Sequence, residues 1–448
     1  MNKLQTGFAR VNITPMMGIE LSGYFFERLA DGVLDDIEVN ALAFACGETK
    51  AVILTVDNEG LSRDITTDFR QHISEQTGLQ MESIYIHATH SHTAPLLKKN
   101  SNVEIEKEYY NFVRRKVADV TRFALEDLKD TKMGWGIGKA PNISFVRRYR
   151  MKDGSVQTNP GIDNPDIAEP LGKVDDNVYV LRFDRDDADS IVLVNFANHP
   201  DSVGGSKISA DWPGFTRQLV EKTIDGTKCI VLNGAQGDIN HVNVHPTGGY
   251  MNDLRIDFDG PRGYKHCKYL ARVVTGGVLQ AYDKVQFVDV DTLKFKQRTI
   301  QIASNMPSAE ELPEAHRIDD LHNAGHDDQL GYSGMMLTTV VAEAWRMVSL
   351  EHGPEFYEMD LSAIVIGNIA FVGIPGEPFA GIGYGLREAE GWDLVLATCI
   401  TNGKHGYFPM KEAYDEGGYE SRSSFFKAGV AECIIAEGKK LLEELKMN

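Results

Sequence analysis

The sequence is poor in cysteine. Cys46, Cys229, Cys267, Cys399 and Cys433 are scattered along 448 residues, odd in number and free of any Cys-x-x-Cys pair. That pattern excludes a disulfide framework and a structural zinc knuckle, and fits buried thiols in a reducing compartment. Positive charge is also scarce. With 46 Lys and Arg against 65 Asp and Glu the net charge is −19, which opposes nucleic-acid phosphates and docking on an anionic bilayer. Long apolar runs are missing: the longest, "LSAIVIGNIAFVGI" at 361–374, is broken by Asn368 and is too short to span a membrane. The opening "MNKLQTGFARVNITP" has no apolar leader core, so the expected location is cytoplasmic, although a chain already trimmed of a leader reads the same way. There is no GxSxG elbow, Walker A sequence, strand-to-helix GxGxxG or HExxH, which removes the commonest nucleophile, phosphate and zincin motifs. No nucleic-acid partner and no integral membrane segment are expected.

What is present is an alternation of short β-branched runs with helical patterns. Strands are predicted at 7–14, 40–46, 51–57, 83–89, 178–183, 190–198, 229–233, 362–374 and 394–400, from apolar runs bounded by turn residues. Helices are predicted over 63–78, 105–128, 260–285, 331–353 and 423–445, from 3.6-residue spacing with charged faces. The alternation favours an α/β fold, a mixed α+β layered architecture. Length alone allows two to three domains or one large one, and no repeat, low-complexity linker or charge block marks a boundary. Two long loops, 150–176 and 240–263, are rich in Gly, Pro, Asn and Asp and are expected to line or cover a site.

Five polar clusters directly follow strand-like runs: "HSHTAP" after 83–89, "HPDSVGGSKISADWPG" after 190–198, "GAQGDINHVN" after 229–233, "PGEPF" after 362–374 and "TNGKHGYFP" after 394–400. In open α/β sheets ligands bind beyond the carboxyl ends of strands, so the clusters are expected to converge on one cleft. His90 and His92, two apart in an extended segment, can face one cavity, and neutral imidazole is a good zinc ligand. A hydrogen-bonded polar strand end would look the same. The HxHxDH pattern of metallo-β-lactamases fails, because Ala94 and Pro95 occupy its Asp and second His positions. His199 can be a backbone-satisfied core histidine, Tyr407 an ordinary loop aromatic, and Glu377 a carboxylate at a helix N-terminus. Buried, however, Glu377 needs a partner, and a cation is the natural one.

Taken in order, these islands resemble the neutral (non-lysosomal) ceramidase family, specifically its catalytic N-terminal domain. "GFARVNITP" resembles the family's opening strand, "THSHTAP" its THTHSGP-type motif, and "NHPDSVGGSKISADWPG" the segment with a second metal histidine. "NGAQGDIN" resembles its glycine-aspartate loop, "PGEPF" its PGEF, and "GYFPMKEAYDEGGYE" its tyrosine block. The resemblance implies one large catalytic domain over residues 1–448 and a zinc-dependent amidase. The implied ligands are His90, His199, Glu377 and Tyr407, with one Zn2+ ion and other divalent metals compatible. His92 is implied as the partner that positions water or the oxyanion, and Arg147 as an arginine near the substrate, its register against Arg148 left open. The catalytic set so implied is His92, Arg147 and Tyr407. Asp57, Asp211 or Asp238 are candidates for orienting the histidines.

Two departures follow. Gly234 and Ala235 stand where the family has a serine, so a serine nucleophile is not expected while a metal-water mechanism loses nothing. No counterpart of the family's immunoglobulin-like C-terminal domain or secretory segment is visible, so the substrate expected is a small molecule with an N-acyl bond, ceramide or a soluble compound. The competing readings are a metallo-esterase, deacetylase or phosphoesterase on a polar substrate, and a non-catalytic binding protein on this fold.

Overall fold

The computed structural model describes residues 3–246 and 261–447. A mixed sheet is built from Leu4–Asn12 (β1), Glu38–Cys46 (β2), Thr49–Val56 (β3), Ile84–Ala88 (β4), Lys129–Lys139 (β5), Asn177–Arg185 (β6), Ser190–Phe196 (β7) and Thr227–Asn233 (β8). Its order is β8-β7-β6-β5-β1-β2-β3-β4, and Gln286–Val288 (β9) pairs beside β5. A second sheet holds Leu293–Ala303 (β10), Phe356–Ile366 (β11), Ile369–Gly373 (β12) and Leu394–Thr398 (β13), in that order. The pairs β3–β4, β7–β8 and β12–β13 are parallel.

The strands are apolar on both faces, and this dictates the layering. Leu42 and Phe44 of β2, Tyr179, Leu181 and Phe183 of β6, and Ile191 and Leu193 of β7 join one core with Ile364, Phe371 and Leu396 of the second sheet. The alternate residues face helices. Ala41, Ala43, Val52 and Leu54 pack under Arg63–Thr77 (α1) and Glu104–Glu126 (α2). Val178, Val180, Val192 and Val194 pack under Asp211–Thr223 (α3) and Pro261–Tyr282 (α4). Leu312–Asn323 (α5) and Gly334–Glu351 (α6) pack on each other. Ala363, Val365, Ala370 and Val372 lie under Ala380–Arg387 (α7) and Val430–Met447 (α8). Period-two alternation thus produces four layers, helix, sheet, sheet, helix.

β4 and β8 end the long sheet at opposite edges, yet the sheet's twist brings them together. The Asn233 N–H donates to His87 Nε2 (3.0 Å), the Cys399 N–H to the Asn233 carbonyl (3.1 Å), and the Ala88 N–H to the Ile400 carbonyl (3.0 Å). The carboxyl ends of β4, β8 and β13 meet in one seam.

Several predicted elements change. The run 362–374 is a hairpin, β11 and β12, turning at Gly367 with φ +57°. The helix predicted from 423 starts at Val430, after Gly429 at φ +101°. The polar stretch "ADWPG" opens α3, with Pro213 in the first turn where its missing N–H costs nothing. The 150–176 loop carries a small sheet in which Ile167–Pro170 and Val156–Thr158 flank Arg148–Met151, and the 240–263 loop lies in part outside the described residues. Strand β5, "KDTKMGWGIGK", was hidden by its glycines, which admit α4: a Cβ at Gly138 would stand 1.9 Å from the Gly277 carbonyl oxygen.

Candidate metal centre

Each predicted cluster leaves the end of a strand, and the turn after β3 adds a sixth. The Thr89 N–H donates to the Val56 carbonyl (2.9 Å) and the His90 N–H to the Asn58 carbonyl (2.8 Å). His90 then takes φ +74°, a left-handed conformation uncommon for a residue with a Cβ. This turn, and not strand alternation, aims His90 and His92 at the same point. The second histidine loop is tied to the first by the His92 N–H donating to the Pro200 carbonyl (3.2 Å) and the Ser91 hydroxyl to the Ser209 carbonyl (2.7 Å). Glu377 sits in a short parallel pairing, Glu377 against Tyr407. Its backbone is clasped by the Gly406 carbonyl (2.8 Å), and Gly237 lies so close that a Cβ there would be 2.4 Å from the Glu377 carbonyl oxygen.

His90, His92, His199 and Glu377 come together. His90 Nε2 is 3.2 Å from His199 Nε2, 3.2 Å from His92 Nε2 and 3.3 Å from Glu377 Oε2. Glu377 Oε2 is also 3.7 Å from His199 Nε2. All three imidazole nitrogens lie within 4.8 Å of one another. Glu377 Oε2 is buried with no hydrogen bond from the protein. His90 Nδ1 faces the Glu59 carbonyl at 2.6 Å, so Nδ1 carries the proton and Nε2 presents a lone pair. One proton cannot join a carboxylate oxygen and three converging imidazole nitrogens, whereas a divalent cation matches a donor set of this chemistry. The residues therefore fit a metal ion: His90, His92 and His199 converge, and Glu377 lies 3.3 Å from His90 and 3.7 Å from His199.

The charges around these atoms are set by burial and neighbours. Burial opposes ionisation of Glu377, but His90, His199 and Arg147 hold its carboxyl well below the usual range. Burial, with Arg147 and His90 nearby, pushes the His199 imidazole well down, and burial beside His90 pushes His92 down to about 4. Both are neutral at pH 7, as ligands must be. At His90, by contrast, burial is outweighed by Glu377 and Glu59, which push the imidazole up, so that a cation at its Nε2 would displace a proton. Burial also pushes the Tyr407 phenol well up, against the pull of Arg147.

Arg147 and not Arg148 faces this centre. The Arg147 guanidinium carbon stands 5.1 Å from the Tyr407 ring, with Nε 2.6 Å from Glu420 Oε1 and an N–H donated to the Gly237 carbonyl (2.7 Å). Arg148 turns to Glu416 and the Gly417 carbonyl. The aspartates named from sequence are engaged elsewhere. Asp57 holds Arg217 and the Thr89 hydroxyl, Asp211 the Ser202 hydroxyl and the Val203 N–H, and Asp238 the Ala380 N–H that opens α7. Asp238, not Glu377, thus caps that helix. His87, third histidine of the cluster, donates from Nδ1 to the Cys399 carbonyl (2.8 Å) and accepts from Asn233.

Sequence reasoning missed Glu59 and Lys404, and left Tyr419 and Glu420 within the tyrosine block without a role. Glu59 follows β3, a parallel neighbour of β4, and applying the strand-end rule to "VDNEG" would have found it. Glu59 pairs with Lys404, and Tyr419 lies against Tyr407 with ring centres 5.5 Å apart. The centre opens into a cavity of about 380 Å³ lined also by Tyr24, Phe25, Trp345, Tyr357, Phe425 and Phe426.

No family model matches the chain, and no curated protein matches it. Solved structures do. A crystal structure of neutral ceramidase from Pseudomonas aeruginosa aligns over 100% of this chain and 75% of its own, with a TM-score of 0.76 and 16% identity. A structure described as ceramidase complexed with C2 aligns over 100% and 76%, with a TM-score of 0.75 and 15% identity. The chain has a neutral-ceramidase-like fold.

Proposed function

We propose that this protein is a zinc-dependent amidohydrolase that cleaves the C–N bond of a small N-acyl compound. The observation that carries this reading is the convergence of three imidazole nitrogens and a buried carboxylate oxygen at the floor of a cavity. The fold shared with ceramidases supports it. His90, His199 and Glu377 would hold the metal, with Tyr407 beside them. In such a site zinc supplies Lewis acidity and lowers the pKa of water toward about 7.

The chain's own residues perform the rest. The Glu59 carbonyl fixes the His90 tautomer. His92, neutral at pH 7 and 3.2 Å from His90, takes a proton from the water that adds to the amide carbonyl and returns it to the departing amine. The water oxygen becomes part of the new carboxylate as the C–N bond breaks. The Tyr407 phenol stays protonated because it is buried, so it can donate to the carbonyl oxygen as negative charge develops there. Arg147, fixed by Glu420 and Gly237, holds the Tyr407 ring and adds positive charge.

The test is metal analysis of purified protein together with hydrolysis of N-acyl compounds and their ester analogues. About one zinc per chain is expected, with loss of zinc and activity in His90→Ala and Glu377→Ala but retained folding. Zinc binding by Glu377→Ala equal to wild type overturns the ligand set, and hydrolysis of esters alone overturns the amidase reading.

A further inference from the structure

The cavity has a second polar anchor that the hydrolytic chemistry does not use. Among the described residues lining it, Lys404 is the one lysine or arginine, in a chain whose net charge is −19. Its hydrogen-bond partner among the described residues is the Glu59 carboxylate. The two differ in access: the Lys404 side chain is 33% exposed and that of Glu59 only 7%. Both residues line the cavity, and the lysine is the more accessible half of the pair. An ammonium has three donors, so Lys404 retains donors for an incoming anion. Glu59 is bound at both ends, its carbonyl to His90 and its carboxylate to Lys404, which ties the position of Lys404 to that of His90.

Aromatic rings form one wall of the cavity. Trp345 of α6 meets Phe425 edge-on at 5.1 Å and Phe25 at 6.4 Å. Tyr357 meets Phe425 at 6.3 Å and Phe426 at 5.6 Å, again edge-on. Phe25 and Trp345 remain 40% and 48% exposed, leaving apolar surface at the mouth to be covered by a ligand. Edge-on walls suit another ring, and about 380 Å³ is at the small end of ligand pockets.

Resting on the amidohydrolase reading, we infer the substrate class: an N-acyl amino acid with a compact aromatic acyl group, its free carboxylate bound by Lys404 and its ring against the Trp345–Phe425 wall. A carboxylate gives Lys404 a charge-assisted hydrogen bond that a neutral amide cannot match.

The experiment compares N-benzoylglycine, N-benzoylglycinamide and N-acetylsphingosine as substrates of the zinc-loaded wild type, Lys404→Gln and the double variant Glu59→Gln/Lys404→Gln. The double variant removes both charges together and so avoids a buried unpaired carboxylate. Wild type should prefer N-benzoylglycine over its amide by about tenfold or more in kcat/KM. Both variants should bring the acid-to-amide ratio of kcat/KM within about twofold, through a raised KM for the acid. A role of Lys404 in structure alone would depress acid and amide equally, and that result overturns the inference. So does preference of wild type for the amide or for N-acetylsphingosine, either of which leaves the amidohydrolase reading standing. If none of the three is cleaved by protein that carries zinc and none is cleaved faster than by His90→Ala, the amidohydrolase reading itself falls.

Discussion

His87 and His90 are three residues apart, both fully buried, and their surroundings differ in one respect. His87 sits at the end of β4, where the seam between the two sheets supplies an acceptor for one ring nitrogen and a donor for the other. His90 sits in the turn, where the Glu59 carbonyl takes one nitrogen and the other faces only nitrogens and a carboxylate oxygen. Burial therefore does not separate a structural histidine from a metal-binding one. The separation lies in what the second nitrogen meets: a backbone N–H for His87, and for His90 two imidazole nitrogens and a carboxylate oxygen that one proton cannot satisfy together. A single backbone donor fixes the fold; several lone pairs converging on one point suit a cation.

The comparison breaks most visibly in activity. His90→Ala should lower kcat/KM by about a thousandfold or more, with zinc content falling in parallel and metal-free stability changing by less than about 1 kcal/mol. Atomic-emission metal analysis and a denaturant melt of the metal-free protein read both halves, and a stability loss like that of His87→Ala would erase the distinction. Second, His87→Ala should destabilise by about 3 kcal/mol, since it orphans the Asn233 N–H, leaves the Cys399 carbonyl with the Thr401 hydroxyl alone and opens a cavity. Its folded fraction should still bind zinc, and loss of zinc without loss of stability would reverse the two roles.

Smaller effects sharpen the contrast. Tyr407→Phe should reduce kcat about 10- to 100-fold with zinc content unchanged, if its phenol acts as a donor; loss of zinc instead would make it a ligand. The pH dependence of stability should carry two opposite contributions. Burial pushes the His87 imidazole down to about 3. Its contribution is complete above the unfolded value near 6.5 and drains as pH falls toward 3, by on the order of 1.4 kcal/mol per unit at most. Burial pushes the Asp238 carboxyl up to about 6. Its contribution is complete below about 4 and is lost as pH rises through 6. Asp238→Asn keeps an oxygen for the Ala380 N–H and should gain about 1–2 kcal/mol at pH 8 with no gain at pH 4. Equal melts at both pH values would show that Asp238 is not protonated in the fold.

Much of the layered fold could be read along the chain, because strands buried on both faces are uniformly apolar and bounded by turn residues. The failures have local causes. Gly134, Gly136 and Gly138 disguised β5, whose glycines make room for α4. Gly367 and Asn368 were absorbed into one run although they turn a hairpin. "DWPG" looked like a loop because a positive-φ Asp211 and a proline open the helix that follows. At the centre, His90, His92, His199 and Glu377 were legible as residues with suitable chemistry at strand ends, Tyr407 and Arg147 only through the family resemblance, and all of them lie together at the cavity floor or beside it.

The sequence by itself determined the alternating apolar pattern, the acidic surface and the stock of imidazoles and carboxylates that leave the strands. Tertiary structure alone decided which histidine nitrogen would face other imidazoles and a carboxylate instead of a backbone donor. That depends on strand edges far apart in sheet order being brought together at Asn233 and Cys399, and on a turn that gives Glu59's carbonyl to His90 and its carboxylate to Lys404. Hydrogen-bond satisfaction is a property of the surroundings, and the surroundings of His90 are assembled from residues more than three hundred positions apart in the chain.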